Sequence, residues 1–254
     1  MLLTRRTLIN SAATAATGRL FLASTRVARY RAVALDAFTT LDPRPISARA
    51  EEVFPGKGAL LADLWRARQF EYTWLRTISR TYVDFRQITE DSLVHAAHIL
   101  ALDLSIEKRH YLLHSFWEFK PWPDALAALQ RLKTAGLRVV FLSNFTAAML
   151  TSAVRSCGLQ GLFEPHLSTD RVRVFKPDPR AYHMAVDALR LRRDEVVFGA
   201  FAGWDAAGAK AFGYPTFWVN RMKQPVEELG FPPDAAGHDL TELASFVIGP
   251  GTTG

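Results

Sequence analysis

Polar side chains that could share chemistry follow the apolar segments of this sequence. Asp36 ends the run "RAVALD", and Ser143 and Asn144 end the run "LRVVFLSN". Lys176 follows in "VFKPDPRAY", and Asp205 lies just beyond "EVVFGAF". An ammonium group within ~4–6 Å of a carboxyl group favours its ionised form, so together these residues could hold a carboxylate beside hydrogen-bond donors. Considered alone, Asp36 is explained equally well as a turn-forming residue after a strand.

The apolar segments that precede these residues are typical of buried parallel strands. They are short, apolar throughout, and alternate with helical patterns from residue 121 onward. Such alternation predicts an α/β fold with a parallel sheet and crossover helices. Because ligands bind at the carboxyl ends of strands in these sheets, we expect the polar residues to meet at one edge.

A long helical region interrupts this pattern. Residues 46–118 carry apolar side chains at three- and four-residue spacing, including a helical pattern that continues through "TYVDF". Prolines flank the region near residues 44 and 122, as expected of hinges. The predicted organisation is an α/β core at 29–44 and 123–246, a helical cap at 45–122, and a flexible tail at 247–254.

Composition and charge narrow the classes of partner. The chain has 254 residues and a net charge of +6, with 49% hydrophobic and 22% charged residues. Six arginines and no acidic residues occur in the first 31 positions, so the remainder is neutral and no nucleic-acid partner is predicted. The single cysteine, Cys157, excludes an intrachain disulfide and a cysteine metal cluster. After the leader no apolar run reaches the ~18 residues of a membrane span.

The first 28 residues have the character of a targeting segment. "TRRTLINSAATAATGRLFLAST" has paired arginines followed by a mildly apolar stretch of small residues, and it resembles a twin-arginine export signal. This predicts a periplasmic protein. A disordered leader or a misplaced start codon are the alternatives, and without export the protein would be cytoplasmic.

Five segments resemble the type II branch of the haloacid dehalogenase superfamily, the L-2-haloacid dehalogenases. They are "LDAFTTLD", "LWRARQFEYTWLR", "FLSN", "FKPDPRAY" and "WDAAGAKAFGYPTFWVNR", in the family's order between about residues 31 and 245. The resemblance implies a Rossmann-like parallel sheet with an inserted helical cap. It also implies cofactor-free hydrolysis of short (S)-2-haloalkanoic acids to (R)-2-hydroxy acids, and a possible homodimer.

The same resemblance implies roles for individual residues. Asp36 would be the nucleophile that forms an ester at C2 with inversion, and Lys176 would keep Asp36 ionised. Arg66 and Asn144 would bind the departing halide, and Ser143 would donate to the substrate carboxylate.

Further positions complete the implied site. Thr40, Tyr182 and Asp205 match the family's remaining polar residues around the nucleophile. The expected substrate-binding residues are Ala37, Phe38, Phe70, Phe85 and Trp204.

Several positions depart from related patterns. Phe38 stands where phosphatases of the superfamily carry a second aspartate, and only Asp205 remains of their acidic metal site, so no metal is predicted. Thr39 replaces a glycine that often supplies a special backbone angle. Ala200 and Ala202 replace a serine and an asparagine, which predicts a reduced rate or altered specificity. A catalytically weak exported binding relative, or a Mg²⁺-dependent phosphatase, remain as alternatives.

Overall fold

A six-stranded sheet forms the centre of the computed structural model, which describes residues 29–249. The described strands are β1 (Ala32–Leu35), β2 (Leu41–Asp42), β3 (Lys120–Pro121), β4 (Arg138–Ser143), β5 (Leu167–Ser168), β6 (Val196–Ala200), β7 (Thr216–Val219) and β8 (Ala235–Gly237). The sheet has the order β5-β4-β1-β6-β7-β8, and all of its neighbouring pairs are parallel. β2 and β3 form a separate antiparallel pair.

Helices cover the sheet and form a second layer beside it. The described α-helices are α1 (Ala37–Thr40), α2 (Arg44–Val53), α3 (Gly58–Ile78), α4 (Phe85–Ile99), α5 (Ile106–His114), α6 (Ala125–Thr134), α7 (Ala147–Ser156), α8 (Pro179–Leu189), α9 (Gly203–Phe212) and α10 (Leu240–Ile248). The segment between β2 and β3, which contains α2 to α5, is called the cap below. The expected α/β fold with a parallel, Rossmann-like core is confirmed.

The central strand β1 shows why the sheet strands are apolar throughout. All four of its residues are fully buried. Val33 and Leu35 belong to the larger apolar cluster, whereas Ala32 and Ala34 belong to the cluster on the opposite face. Since successive side chains of a strand point to opposite faces, a strand that is covered on both sides cannot alternate apolar with polar residues.

One cap helix, α3, is shorter than the sequence pattern indicated. Helix α3 ends at Ile78, although the apolar spacing continues through Phe85. Arg80 adopts a positive φ of 58°, and the Asp84 side chain accepts a hydrogen bond from the Gln87 N–H to start α4. A left-handed residue followed by an N-cap ends one helix and begins the next, which periodicity alone does not reveal.

Some predictions concern regions at the edges of the description. The proposed export signal at 1–28 and residues 250–254 of the tail lie outside the described residues. Helix α10 continues through Ile248, so the first two residues of the expected tail, Val247 and Ile248, are helical instead. In residues 29–249 no helix has the length and apolarity required to cross a membrane. The homodimer and the exact domain limits stay predictions.

A buried arginine, Arg221, links α1 to two other helices of the core. The Arg221 side chain is 5% exposed. Its guanidinium donates two hydrogen bonds to the Asp124 carboxylate, both 2.9 Å, and two to the Thr39 carbonyl, at 3.1 and 2.7 Å. Asp124 also accepts from the Leu240 N–H at 2.8 Å. One guanidinium therefore ties together the turn after β1, the start of α6 and the start of α10.

We expect Arg221→Met to lower the free energy of unfolding by about 1–2 kcal/mol at pH 7, because it leaves the half-buried Asp124 with fewer donors. Burial alone would raise the pKa of Asp124, but the Arg221 guanidinium and the Leu240 N–H outweigh it and hold that pKa below its usual value. Such a group stabilises the fold above its unfolded pKa of about 4 and loses this contribution as the pH falls through the lowered value. The difference between wild type and variant should therefore shrink in acid.

Urea titrations between pH 7 and pH 3 provide the measurement. Arg192→Met is the matched control, because Arg192 pairs with Asp194 in full solvent, and it should leave the unfolding midpoint unchanged. An equal loss at every pH for Arg221→Met would contradict the assignment.

Candidate active site

Asp36 stands at the junction of β1 and α1. Its backbone N–H continues the sheet by donating to the Gly199 carbonyl at 2.9 Å. Its carboxylate caps α1, with Oδ2 accepting from the Phe38 N–H at 3.0 Å. Asp36 is thus a turn-forming residue after a strand, as one interpretation of the sequence held. The same residue can also react with a ligand, because its side chain remains 15% exposed.

Lys176 connects this carboxylate to a second one. Its Nζ donates to Asp36 Oδ1 at 2.8 Å and to Asp205 Oδ2 at 2.6 Å. The side chains of Lys176 and Asp205 are 1% and 2% exposed. One buried ammonium is shared by two carboxylates, so the cluster carries one net negative charge when all three groups are ionised.

The protonation of this cluster follows from its burial. Burial alone would lower the pKa of Lys176, but the carboxylates of Asp205 and Asp36 outweigh it and raise that pKa above its usual value. Burial raises the pKa of Asp205 to about 6, because desolvation and the nearby Asp36 charge exceed the opposing effect of Lys176. Lys176 therefore stays an ammonium near neutral pH, and Asp205 takes up a proton in mild acid.

Tyr182 supports Asp205 from inside the core. Its hydroxyl donates to Asp205 Oδ1 at 2.7 Å. Burial, followed by the charge of Asp205, raises the pKa of Tyr182 well above its usual value, so it remains a donor. A Cβ at Gly208 would lie 2.6 Å from the Tyr182 hydroxyl oxygen. Glycine at position 208 therefore allows α9 to approach the tyrosine closely.

A small pocket that is partly open to solvent lies above Asp36, with about 350 Å³ of atom-free space when the open solvent at its mouth is counted. Its walls are predominantly aromatic and apolar, and the polar groups converge at the carboxyl ends of β1, β4 and β6. The lining residues are Asp36, Phe38, Phe70, Phe85, Ser143, Asn144, Phe145, Lys176, Phe201, Ala202, Trp204 and Asp205.

Ser143 and Asn144 present hydrogen-bonding groups to this pocket. The Ser143 Oγ accepts from the Phe145 N–H at 3.2 Å, which leaves its own hydroxyl proton for another acceptor. The Asn144 Oδ1 accepts from the Lys176 N–H at 3.0 Å, which turns the amide nitrogen into a donor for a ligand. Both residues suit a bound anion.

Cap and core meet over the pocket through aromatic rings. Phe70 of α3 packs edge-on against Trp204 with ring centroids 5.1 Å apart, and Trp74 contacts the same indole at 5.6 Å. Phe85 at the start of α4 lies 5.3 Å from Phe145. These rings leave the carboxylates below them little access to water: the side chain of Asp36 is 15% exposed and that of Asp205 is 2% exposed.

Arg66 is not among the residues that line the pocket. It lies one helical turn before Phe70 on α3, but its side chain is 52% exposed and its guanidinium donates to Asp63 at 2.9 Å. A nearby carboxylate on the same helix therefore holds the arginine in solvent. The halide-binding role of Arg66 stays a prediction that requires this side chain to turn.

The remaining predicted residues lie behind the pocket wall. Ala37 and Thr40 are fully buried in α1, and the Thr40 Oγ1 is 3.5 Å from that of Thr39. Thr39 lies inside α1 with a negative φ, so the glycine expected at this position is not required. Its hydroxyl instead donates to the Asp36 carbonyl at 2.7 Å.

Sequence reasoning missed two lining residues, Phe145 and Phe201. Phe145 directly follows Ser143 and Asn144, and Phe201 directly follows β6, so their place next to strand ends was the available signal. Phe38 contacts both rings, with centroids 5.2 and 5.7 Å away. Ala202 lines the pocket and gives this wall a methyl group where the family carries an asparagine, whereas Ala200 is fully buried in an apolar core cluster and is not among the lining residues.

Comparison with known proteins agrees with this geometry. A family model described as haloacid dehalogenase-like hydrolase matches residues 7–213. The (S)-2-haloacid dehalogenase of Pseudomonas sp. (strain YL) is 40% identical over 218 residues, which are 85% of this chain and 93% of the relative.

Solved structures give the same picture. The L-2-haloacid dehalogenase RSc1362 superposes with a TM-score of 0.85 at 39% identity, over 87% of this chain and 99% of that one. The L-2-haloacid dehalogenase from Xanthobacter autotrophicus with chloropropionic acid covalently bound superposes with a TM-score of 0.81 at 29% identity, over 87% of this chain and 100% of that one. The expected resemblance is confirmed: this chain belongs to the haloacid dehalogenase-like hydrolases and, among them, to the L-2-haloacid dehalogenase family.

Proposed function

We propose that this protein hydrolyses short (S)-2-haloalkanoic acids to (R)-2-hydroxy acids through a covalent ester on Asp36. The observation that carries the proposal is the Asp36 carboxylate, held 2.8 Å from the buried ammonium of Lys176 under an aromatic pocket. Relatives over most of the chain are named (S)-2-haloacid dehalogenases, which supports the same activity.

The first step is a displacement at carbon. An electron pair of the Asp36 carboxylate attacks C2 from the side opposite the halogen, the carbon–halogen bond breaks, and the halide leaves with its electron pair. Ser143 and Asn144 supply hydrogen bonds to the substrate carboxylate and to the halide respectively. Because the aromatic walls exclude water, the attacking oxygen is weakly solvated and the fixed donors act strongly.

The second step returns the enzyme to its starting state. Water adds to the carbonyl carbon of the Asp36 ester, the ester bond to the carboxyl carbon breaks, and the 2-hydroxy acid leaves. Asp205, the other carboxylate in the pocket lining, accepts one proton of this water and passes it to the oxygen of the departing 2-hydroxy acid, while the second proton leaves the regenerated Asp36 to solvent. The overall reaction consumes one water and releases one halide and one proton.

Phosphatase chemistry is less compatible with these residues. Phe38 occupies the position of the phosphatases' proton-donating aspartate, and its ring packs against Phe145 and Phe201. Within residues 29–249 there is no group of three or more His, Cys, Asp or Glu residues placed to hold a metal ion. A phosphate ester needs charge neutralisation that a single buried lysine, already shared by two carboxylates, does not supply.

We expect Asp36→Asn to abolish halide release from chloroacetate and (S)-2-chloropropionate, a loss on the order of 10³-fold or more, because the amide is no nucleophile. Ion chromatography with EDTA and with Mg²⁺ measures the release. Asp187→Asn removes an exposed carboxylate on α8 and should leave the rate unchanged. Activity that requires Mg²⁺, or a first turnover in H₂¹⁸O that places ¹⁸O in the product rather than in Asp36, would overturn the scheme.

We expect the rate to fall below a pH of about 6, the pKa of Asp205, because protonated Asp205 neither pairs with Lys176 nor accepts a proton from water. Tyr182→Phe removes a donor to the ionised Asp205 carboxylate and so raises the pKa of Asp205. The pH below which kcat falls should therefore move to a higher value. Tyr72→Phe, on α3 and outside the pocket lining, is the control. An acid limb that stays in place in Tyr182→Phe would exclude Asp205 as the titrating group.

We expect the second step to limit turnover, because Ala202 offers the attacking water no hydrogen-bond partner on that wall. Rapid-quench experiments should show a burst of about one halide per Asp36 site, followed by slower steady release. Ala202→Asn should raise the steady rate by up to about 10-fold, whereas Ala135→Asn on the exposed end of α6 should not change it. Linear release from the first turnover would contradict this prediction.

A further inference from the structure

The backbone that carries Lys176 is itself supported from outside the core. Residues 169–176, called the lysine loop below, begin with a short 3₁₀ helix at Thr169–Arg171. Arg173 adopts a positive φ of 52°, a conformation that an arginine takes up only when its surroundings enforce it. Phe175, which directly precedes Lys176, is 1% exposed. The position of the Lys176 ammonium depends on contacts that hold this loop in place.

The cap provides those contacts from the connection between α3 and α4. The Tyr82 hydroxyl donates a hydrogen bond to Asp170 Oδ1. The Tyr82 ring stacks on Phe175 with centroids 5.0 Å apart. The Arg173 guanidinium lies 5.1 Å from the centroid of the Tyr82 ring. One cap tyrosine thus touches three residues of the lysine loop.

A second cap residue binds the backbone next to Lys176. The Thr77 Oγ1 accepts from the Phe175 N–H at 3.1 Å and donates to the Thr73 carbonyl at 2.8 Å. On the core side, the Lys176 N–H is held by Asn144. Of the two successive peptide groups that lead into the lysine, the first therefore donates a hydrogen bond to the cap and the second donates one to the core.

We propose that Tyr82 and Asp170 form a latch between cap and core that positions Lys176 for the reaction. When the latch is closed, the cap covers the pocket and braces the lysine loop with the same side chains. When the cap lifts, Tyr82 leaves Asp170 and Thr77 leaves the Phe175 N–H, so the loop loses this support as the pocket opens. Both latch residues act through Lys176 and are positioning residues.

The hydroxyl of Tyr82 is suited to this role. Burial, followed by the hydrogen bond to Asp170, raises the pKa of Tyr82, so it remains a protonated donor at all working pH values. Asp170 is only partly buried, so water replaces the tyrosine when the latch opens. The hydrogen bond between Tyr82 and Asp170 can orient the cap relative to the lysine loop, and it can break each time the cap opens because water then binds Asp170.

The kinetic part of the proposal rests on the proposed function, and it is tested with Tyr82→Phe, Asp170→Asn and the double variant in the full-length protein. We expect each single variant to lower kcat about 10-fold, because a misplaced Lys176 no longer keeps Asp205 ionised to accept the water proton in the limiting second step. The double variant should be no worse than either single one.

The pH profile separates positioning from simple support. Asp205 is surrounded by Lys176, Asp36 and Tyr182, and of these Lys176 is the cation that lowers its pKa. If the latch variants let Lys176 withdraw, the pKa of Asp205 rises and the pH below which kcat falls moves above its wild-type position near pH 6. Tyr72→Phe, the matched cap control, should leave this position unchanged. Variants that lower only the melting temperature, with unchanged kcat and pH profile, would overturn the proposal.

Amide hydrogen exchange tests the latch without any turnover. In Tyr82→Phe the amides of Phe175 and Lys176 should exchange about 10-fold faster than in wild type, while those of β1 stay unchanged. Acrylamide should also quench the tryptophan fluorescence of Tyr82→Phe more strongly than that of wild type, because Trp74 and Trp204 pack against each other between cap and core. Absence of both changes would refute the latch, whereas a wild-type protein that releases no halide would refute the proposed function and leave this measurement decisive on its own.

Discussion

The structure depends on a buried ammonium that is shared by two carboxylates. Removing Lys176 from the pair of Asp36 and Asp205 would leave two like charges in a site with almost no access to water, at a cost of several kcal/mol. Three separate segments must therefore be held in one place: the end of β1, the loop before α8 and the start of α9. The parallel order β4-β1-β6 brings these segments to one edge of the sheet. The fold must therefore bring these three segments together for the charges of the site to be balanced.

Much of this arrangement could be predicted because it follows from short-range patterns. Apolar runs in the sequence indicate the buried strands. In a parallel sheet the carboxyl ends of the strands lie at one edge, so the residues that follow them are expected to lie close together. For that reason Asp36, Ser143, Asn144, Lys176 and Asp205 were all expected at the pocket, and the structure places them there. The aromatic residues Phe70, Phe85 and Trp204 were expected from the family resemblance, and they also line it.

What could not be predicted depends on side-chain direction or on partners distant in sequence. Whether Arg66 turns toward the pocket or toward Asp63 is decided by a local ion pair of small energy. The end of α3 depends on a left-handed residue at Arg80, a conformation that the sequence does not mark. The contacts of Tyr82 with Asp170 and of Arg221 with Asp124 join residues more than eighty positions apart, for which one sequence holds no signal.

The connection between cap and core, formed by the paired strands β2 and β3, bears on how the cap could move. The strands β2 and β3 cross between the two parts side by side, and the next residue, Trp122, donates its backbone N–H to the Thr40 carbonyl and its indole N–H to the Phe38 carbonyl. When a rigid body rotates, atoms far from the axis move most and atoms on the axis do not move. If the cap rotates about this pair of strands, the axis of rotation is hydrogen-bonded to the turn that bears Asp36. Such a rotation would widen the pocket and leave the Asp36 carboxylate in place.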